Sequence, residues 1–330
     1  MGVQSHPPMK EVQRLIMANQ LATREAYGLA LKDLGDRNKN VVVLDADLSK
    51  STKTNVFAKA HPDRFFNVGI AEQNMMGVAA GLAAAGKIPF VSTFAMFATG
   101  RAFEQVRNSI CYPQLNVKIA ATHAGLTVGE DGASHQSIED IAIMRALPNM
   151  TVIVPADPTE TRQAIDFAAE HQGPVYIRLG RAAVPNLFGE AYEFRIGQAA
   201  LLTDGTDVTL IACGVMVAPA RHAAEQLISQ GISARVLDMA SIKPIDKEAI
   251  IAAARDTGAI VTCEEHSIIG GLGSAVAEVL VENLPVPMER LGVMDTFGES
   301  GTPGDLLKKY NLTEEAIVAA AKRVVGRKKA

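Results

Sequence analysis

The stretch 41–50, VVVLDADLSK, decides how the rest of the chain is read. Four apolar residues run without a polar break and then meet Asp45, Asp47 and Ser49. A strand with one wet face alternates polar and apolar side chains, whereas a strand buried on both faces does not. Similar runs recur at 88–93, 117–122, 151–155, 175–179, 208–213, 234–239 and 259–263, with Ala-rich helical patterns between them. That order predicts an α/β protein whose mainly parallel sheets are covered by helices. At 330 residues the chain exceeds what one core usually serves. The punctuated segment 181–194, RAAVPNLFGEAYEF, is therefore read as the divide between two domains, 1–188 and 189–330.

Helix signals agree with this outline. Asp157, Pro158 and Glu160 supply an N-cap, a first-turn proline and a capping-box acid, with Gly173 a stop beyond. Asp246 and Thr313 read as further N-caps, and Gly258 and Gly326 as terminators. The 48% hydrophobic and 21% charged content is that of a folded enzyme rather than a disordered chain. With 32 basic against 36 acidic residues and no basic block, nucleic acid is not expected as a partner. The apolar stretch 75–86 falls short of the roughly 20 residues a membrane span needs. Cys111, Cys213 and Cys263 lack zinc spacing, so a reduced, cytoplasmic protein is expected. The lead around His6, Pro7 and Pro8 lacks the pattern of a signal peptide.

Parallel sheets bind ligands beyond the carboxyl ends of their strands. Asp45 and Asp47 read as a capped turn; nothing near them completes an oxygen cage for a metal. Glu72 and Gln73 open a helix of glycine, alanine and apolar residues, expected to be buried in the molecule or between subunits. Burial without a cation would raise the Glu72 pKa and let the group share a proton with a ligand; a role at the helix dipole is the alternative. Phe94 and Phe97 are either a core stripe or an aromatic wall for a flat heterocycle. The segment 121–136, ATHAGLTVGEDGASHQ, gathers His123, Glu130, Asp131, His135 and Gln136, and its two imidazoles and two carboxylates suit proton transfer near neutral pH. Arg178 and Arg181 follow the next strand, as ligands for an anion or as surface salt bridges. Gly270, Gly271 and Gly273 lack the third glycine of a dinucleotide fingerprint and read as a turn and helix start.

Taken together, ATREAYG (22–28), DADLSKS (45–51), VGIAEQN (68–74), the long segment 122–157 and IRLGR (177–181) resemble the C-terminal half of the transketolase family. The likeness covers nearly the whole chain and implies a pyrimidine-binding domain followed by a C-terminal domain. It implies thiamine diphosphate chemistry, in which Glu72 meets the aminopyrimidine ring, Phe94 and Phe97 pack on it, and Asp47 lies near the cofactor at a subunit interface. Compared with some relatives the chain carries an extra residue around Gly100 and lacks a third aromatic. Arg24, Ser51, His123 and Arg181 match residues that grip a sugar phosphate; Asp131 matches one that reads donor hydroxyls, and His135 one that moves a proton. The family's GDG motif for diphosphate and Mg or Ca is missing. The resemblance therefore implies the second subunit of a split transketolase, with a separate N-terminal subunit holding the metal and α2β2 self-association. A 2-oxo acid dehydrogenase beta chain, a deoxyxylulose phosphate synthase-like half and a noncatalytic scaffold are the competing readings. The phosphate-gripping set weighs against the first, and the retained Glu72, His123, Asp131 and His135 against the last.

Overall fold

In the computed structural model, which describes residues 20–189 and 191–329, every strand expected above is present. The lead with His6, Pro7 and Pro8 lies outside the described residues. The first part carries β1 (Leu21–Ala22), β2 (Val41–Asp45), β3 (Phe65–Asn67), β4 (Ile88–Ser92), β5 (Lys118–Ala121), β6 (Thr151–Ile153), β7 (Val175–Arg178) and β8 (Ala183–Val184). The second carries β9 (Ala200–Thr203), β10 (Val208–Ala212), β11 (Ala234–Asp238), β12 (Ser241–Lys243), β13 (Ile260–Ser267) and β14 (Met288–Val293).

One sheet has the order β12-β6-β7-β5-β4-β2-β3 and the other β14-β13-β10-β11-β9. Within these two sheets pairing is parallel except at β12–β6 and β11–β9, and β1 and β8 form a separate antiparallel pair. The uninterrupted apolar runs are the central strands: β2 and β10 are buried at every position. One aliphatic cluster joins Val42, Leu44, Val91 and Ile119 to Ile211, Leu237, Ile250 and Leu272, so the core continues from one sheet to the other.

Local signals act largely as read. Asp157 accepts from Glu160 N at 2.7 Å, Asp246 from Ala249 N at 2.9 Å and Thr313 from Ala316 N at 3.3 Å. Gly258 closes its helix at φ 64°. Three readings need correction. The Glu160 carboxylate reaches back to Ala156 N rather than to the cap residue. Gly326 ends no helix in a left-handed turn; the helix Glu314–Gly326 passes into a 3-10 turn with Arg327 still right-handed. The strand expected to end at Cys263 runs on, so Glu264, Glu265 and His266 belong to β13 and are buried.

A candidate active site at the carboxyl ends of the strands

His123 follows β5 in a left-handed backbone conformation, φ 58°, which an imidazole tolerates better than a branched side chain. The twist turns its ring onto Phe94, 3.8 Å between centroids and 23° from parallel. Phe94 stacks in turn with Phe97 at 5.8 Å, and His135 stands edge-on to both rings at 6.1 and 5.5 Å. The Phe94–Phe97 pair is therefore a wall facing two imidazoles.

Short β1 pairs antiparallel with β8, and Gly180 N donates to Thr23 Oγ1 at 2.8 Å. This seats Arg24 beside the strand end that carries Arg181. Arg24 Nη1 donates to His123 Nε2 at 3.1 Å and to Ser51 O at 3.0 Å. A guanidinium only donates, so Nε2 accepts and the ring proton sits on Nδ1, 2.8 Å from Thr122 Oγ1. Burial, then the charges of Arg24 and Arg181, push the His123 pKa down to about 3. The imidazole is thus neutral at physiological pH. Arg24 itself is pulled below its usual value, chiefly by burial, and its Nε is buried without an acceptor. Arg181 donates to Val128 O and lies 3.4 Å from Glu130 and 3.8 Å from Asp131. Lys53, which sequence reasoning missed, adds a third positive charge toward His123 while pairing with Glu25 at 3.3 Å.

Glu72, 2% exposed, opens the helix Glu72–Ala84. The expectation of a buried carboxyl without a cation fails: Arg101 Nη1 donates to both of its oxygens at 2.9 Å. Arg101 also lies over the Phe97 ring, 4.5 Å from its centroid. It gets there through a π-helical turn, Phe97–Arg101, in which Ala102 N bonds Phe97 O five residues back. Such a turn is how a helix absorbs one added residue, and it falls where the extra residue near Gly100 was noted. The helix is only half covered: Met75, Met76, Ala79 and Ala80 are buried, whereas Gln73, Asn74, Gly77, Val78 and Gly81 are exposed.

The remaining positions separate. Asp47, φ 63°, is exposed and paired with Asn67 Nδ2 at 3.2 Å. Ser51 meets Arg24 through its carbonyl rather than its hydroxyl. Asp45 is consumed by the turn, accepting from Leu48 N, Thr52 Oγ1 and Thr54 Oγ1. Arg178 is neither an anion ligand nor a surface ion pair: it is buried against Asp140 at 2.8 Å and Glu265 O at 2.9 Å. In the second sheet, the helix start after Gly271 is filled by the chain's own Glu264, which accepts from Leu272 N and Gly273 N. No phosphate can share that terminus, and the close carboxylate explains the glycine at 271. Among the described residues no group of three or more His, Cys, Asp or Glu is placed to hold a metal, and no helix is long and apolar enough to cross a membrane.

Comparison with known proteins extends this picture. Residues 19–186 match the model of the transketolase pyrimidine binding domain, and residues 197–317 that of the transketolase C-terminal domain. A Methanocaldococcus jannaschii protein, named provisionally as a transketolase C-terminal section, is 55% identical over 92% of this chain and 95% of its own length. A 6-deoxy-6-sulfo-D-fructose transketolase subunit of Clostridium sp. is 47% identical over 92% of this chain and 95% of its own. Among solved structures, a split gene transketolase in an inactive beta4 tetramer superimposes with a TM-score of 0.87 at 60% identity, covering 94% of this chain and all of that one.

Proposed function

The chain belongs to the transketolase family, and on that premise we propose that it is the C-terminal subunit of a two-subunit transketolase that moves a two-carbon ketol unit between sugar phosphates. In this reading residues 1–188 bind the cofactor's pyrimidine and 189–330 form the C-terminal domain. An N-terminal subunit brings the diphosphate and metal site, in an α2β2 assembly in the cytoplasm. Thiamine diphosphate, when bound, supplies the carbanion chemistry. The residues present suit its flat half: two stacked phenyl rings and a buried carboxylate that already holds a planar cation. Phe94 and Phe97 would carry the ring, Glu72 would hold or release a proton at a carboxylate oxygen, and Asp47 would face the shared edge. His135 would move the substrate proton while Asp131 reads a hydroxyl.

The observation that carries the proposal is the Arg24 side chain. A buried guanidinium N–H with no acceptor, beside a neutral imidazole and within the field of Arg181, fits an incoming anion. Arg24, His123, Ser51 and Arg181 would grip the phosphate. The test is ketol transfer from a ketose phosphate by the purified chain, alone and mixed with an N-terminal-type subunit, thiamine diphosphate and a divalent ion. Turnover is expected only in the mixture. Robust turnover by the chain alone overturns the split-enzyme reading.

A further inference from the structure

The second domain contributes none of the residues assigned above, yet it holds their loop at two points. Glu265 of β13, 2% exposed, accepts from Thr127 N, and a methyl on Gly125 would collide with its carboxylate. Gln136, 3% exposed, donates from Nε2 to Glu299 O at 2.9 Å across the domains. Its other hydrogen is shared between Gly129 O at 3.1 Å and Leu126 O at 3.3 Å within the loop. A methyl on Gly298 would strike the Gln136 amide, so that glycine permits the approach. The neighbouring carbonyl, Val128 O, is the one that Arg181 binds. The dipeptide Thr127–Val128 is thus held at its N–H by the second domain and at its C=O by a residue assigned to the anion.

A carboxylate this dehydrated is costly, and its Oε2 has no partner. Stability alone would favour an apolar residue there. We infer that Glu265 and Gln136 are positioning residues, through which the second domain sets Arg181 and the 126–136 loop for the anionic end of the ketose. The inference rests on the proposed function and adds a task for a domain that holds no reacting group.

The test uses the complete two-subunit complex with thiamine diphosphate, comparing Glu265→Met and Gln136→Met with wild type on a ketose phosphate and on the same ketose without phosphate. Each variant is expected to raise KM for the phosphorylated donor about tenfold. The kcat and the KM for the dephosphorylated donor should stay within about twofold. Glu265→Gln, whose amide oxygen still accepts from Thr127, should restore the wild-type KM. A merely structural role lowers kcat through lost active protein and leaves the ratio of the two KM values unchanged; that result overturns the inference. If Glu265→Met fails to assemble, Gln136→Met decides alone. An inactive wild-type complex would remove the proposed function and the inference with it.

Discussion

At the scale of single residues, Glu72 and Arg101 set the chemistry that remains to be tested. A buried carboxylate needs a partner, and here both oxygens belong to one guanidinium. A ring nitrogen reaching Glu72 must use a lone pair those bonds leave free or displace one of them. Arg101 is half exposed and resting on Phe97, so it has room to swing outward. Replacing Glu72 with Gln keeps the shape and removes the acid. Ketol transfer by the complex should fall at least about 100-fold while size-exclusion elution is unchanged. Unaltered turnover would favour the scaffold reading instead. Glu72 was legible because it opens a helix of small residues after a glycine. Arg101 was not, because its partner lies 29 residues away and a π turn shifts the phase on which helical spacing relies. The His123 cluster was legible as a loop rich in imidazole and carboxylate. The neutral state of His123 comes from burial first and then from cations in three distant segments, Arg24, Arg181 and Lys53, which spacing does not reveal.

At the scale of elements, the helix Glu72–Ala84 leaves one face of small residues exposed. Gly77 and Gly81 lie one turn apart on its open side, with no atom within 4 Å of where a side chain would begin. In an isolated helix each would weaken the structure by about 1 kcal/mol relative to Ala. In the proposed two-subunit assembly, their small size would let a partner surface come close. Gly81→Leu should leave the thermal midpoint of the isolated chain unchanged or slightly higher and block assembly with the N-terminal subunit, read by light scattering. Normal assembly would place the contact elsewhere. The expectation that this helix is packed on every side is met within the chain on one face alone. The buried parallel strands were visible from their unbroken apolar runs. The others escaped for physical reasons: β3 and β14 carry polar or exposed residues at sheet edges, β12 is short, and β13 continues through Glu264, Glu265 and His266 because buried partners neutralise their polarity.

For the whole molecule, the two parts meet over acids as well as over aliphatic side chains. Asp157 at a helix cap, Glu160 within that helix and Asp238 at the end of β11 are buried side by side, and the half-buried Tyr192 from the linking segment donates to Glu160. Asp238 has no other donor for either oxygen, and burial beside Glu160 raises its pKa well above the ordinary range. Burial likewise lifts Glu160 to about 7. The pair therefore retains a proton at neutral pH that the unfolded chain has lost. Because its folded-state value is raised, the Glu160 contribution to stability is full below about pH 4 and disappears as pH climbs through about 7, and Asp238 acts in the same direction. Glu264 and Glu265, each raised by burial to about 7, act in the same direction. His123 and His266, lowered to about 3 and about 4, act oppositely, removing stability as pH falls below the unfolded value near 6.5. The wild-type profile is the sum of these terms, so only a difference between variants isolates the junction. Asp238→Asn supplies Glu160 with a permanent donor and deletes the shared proton. Relative to this variant, wild type should lose stability between about pH 5 and pH 8. Thermal midpoints measured across that range should diverge by a few degrees, with the variant higher at the alkaline end. Parallel curves would mean that no proton is held between the domains, and that the aliphatic cluster alone joins them.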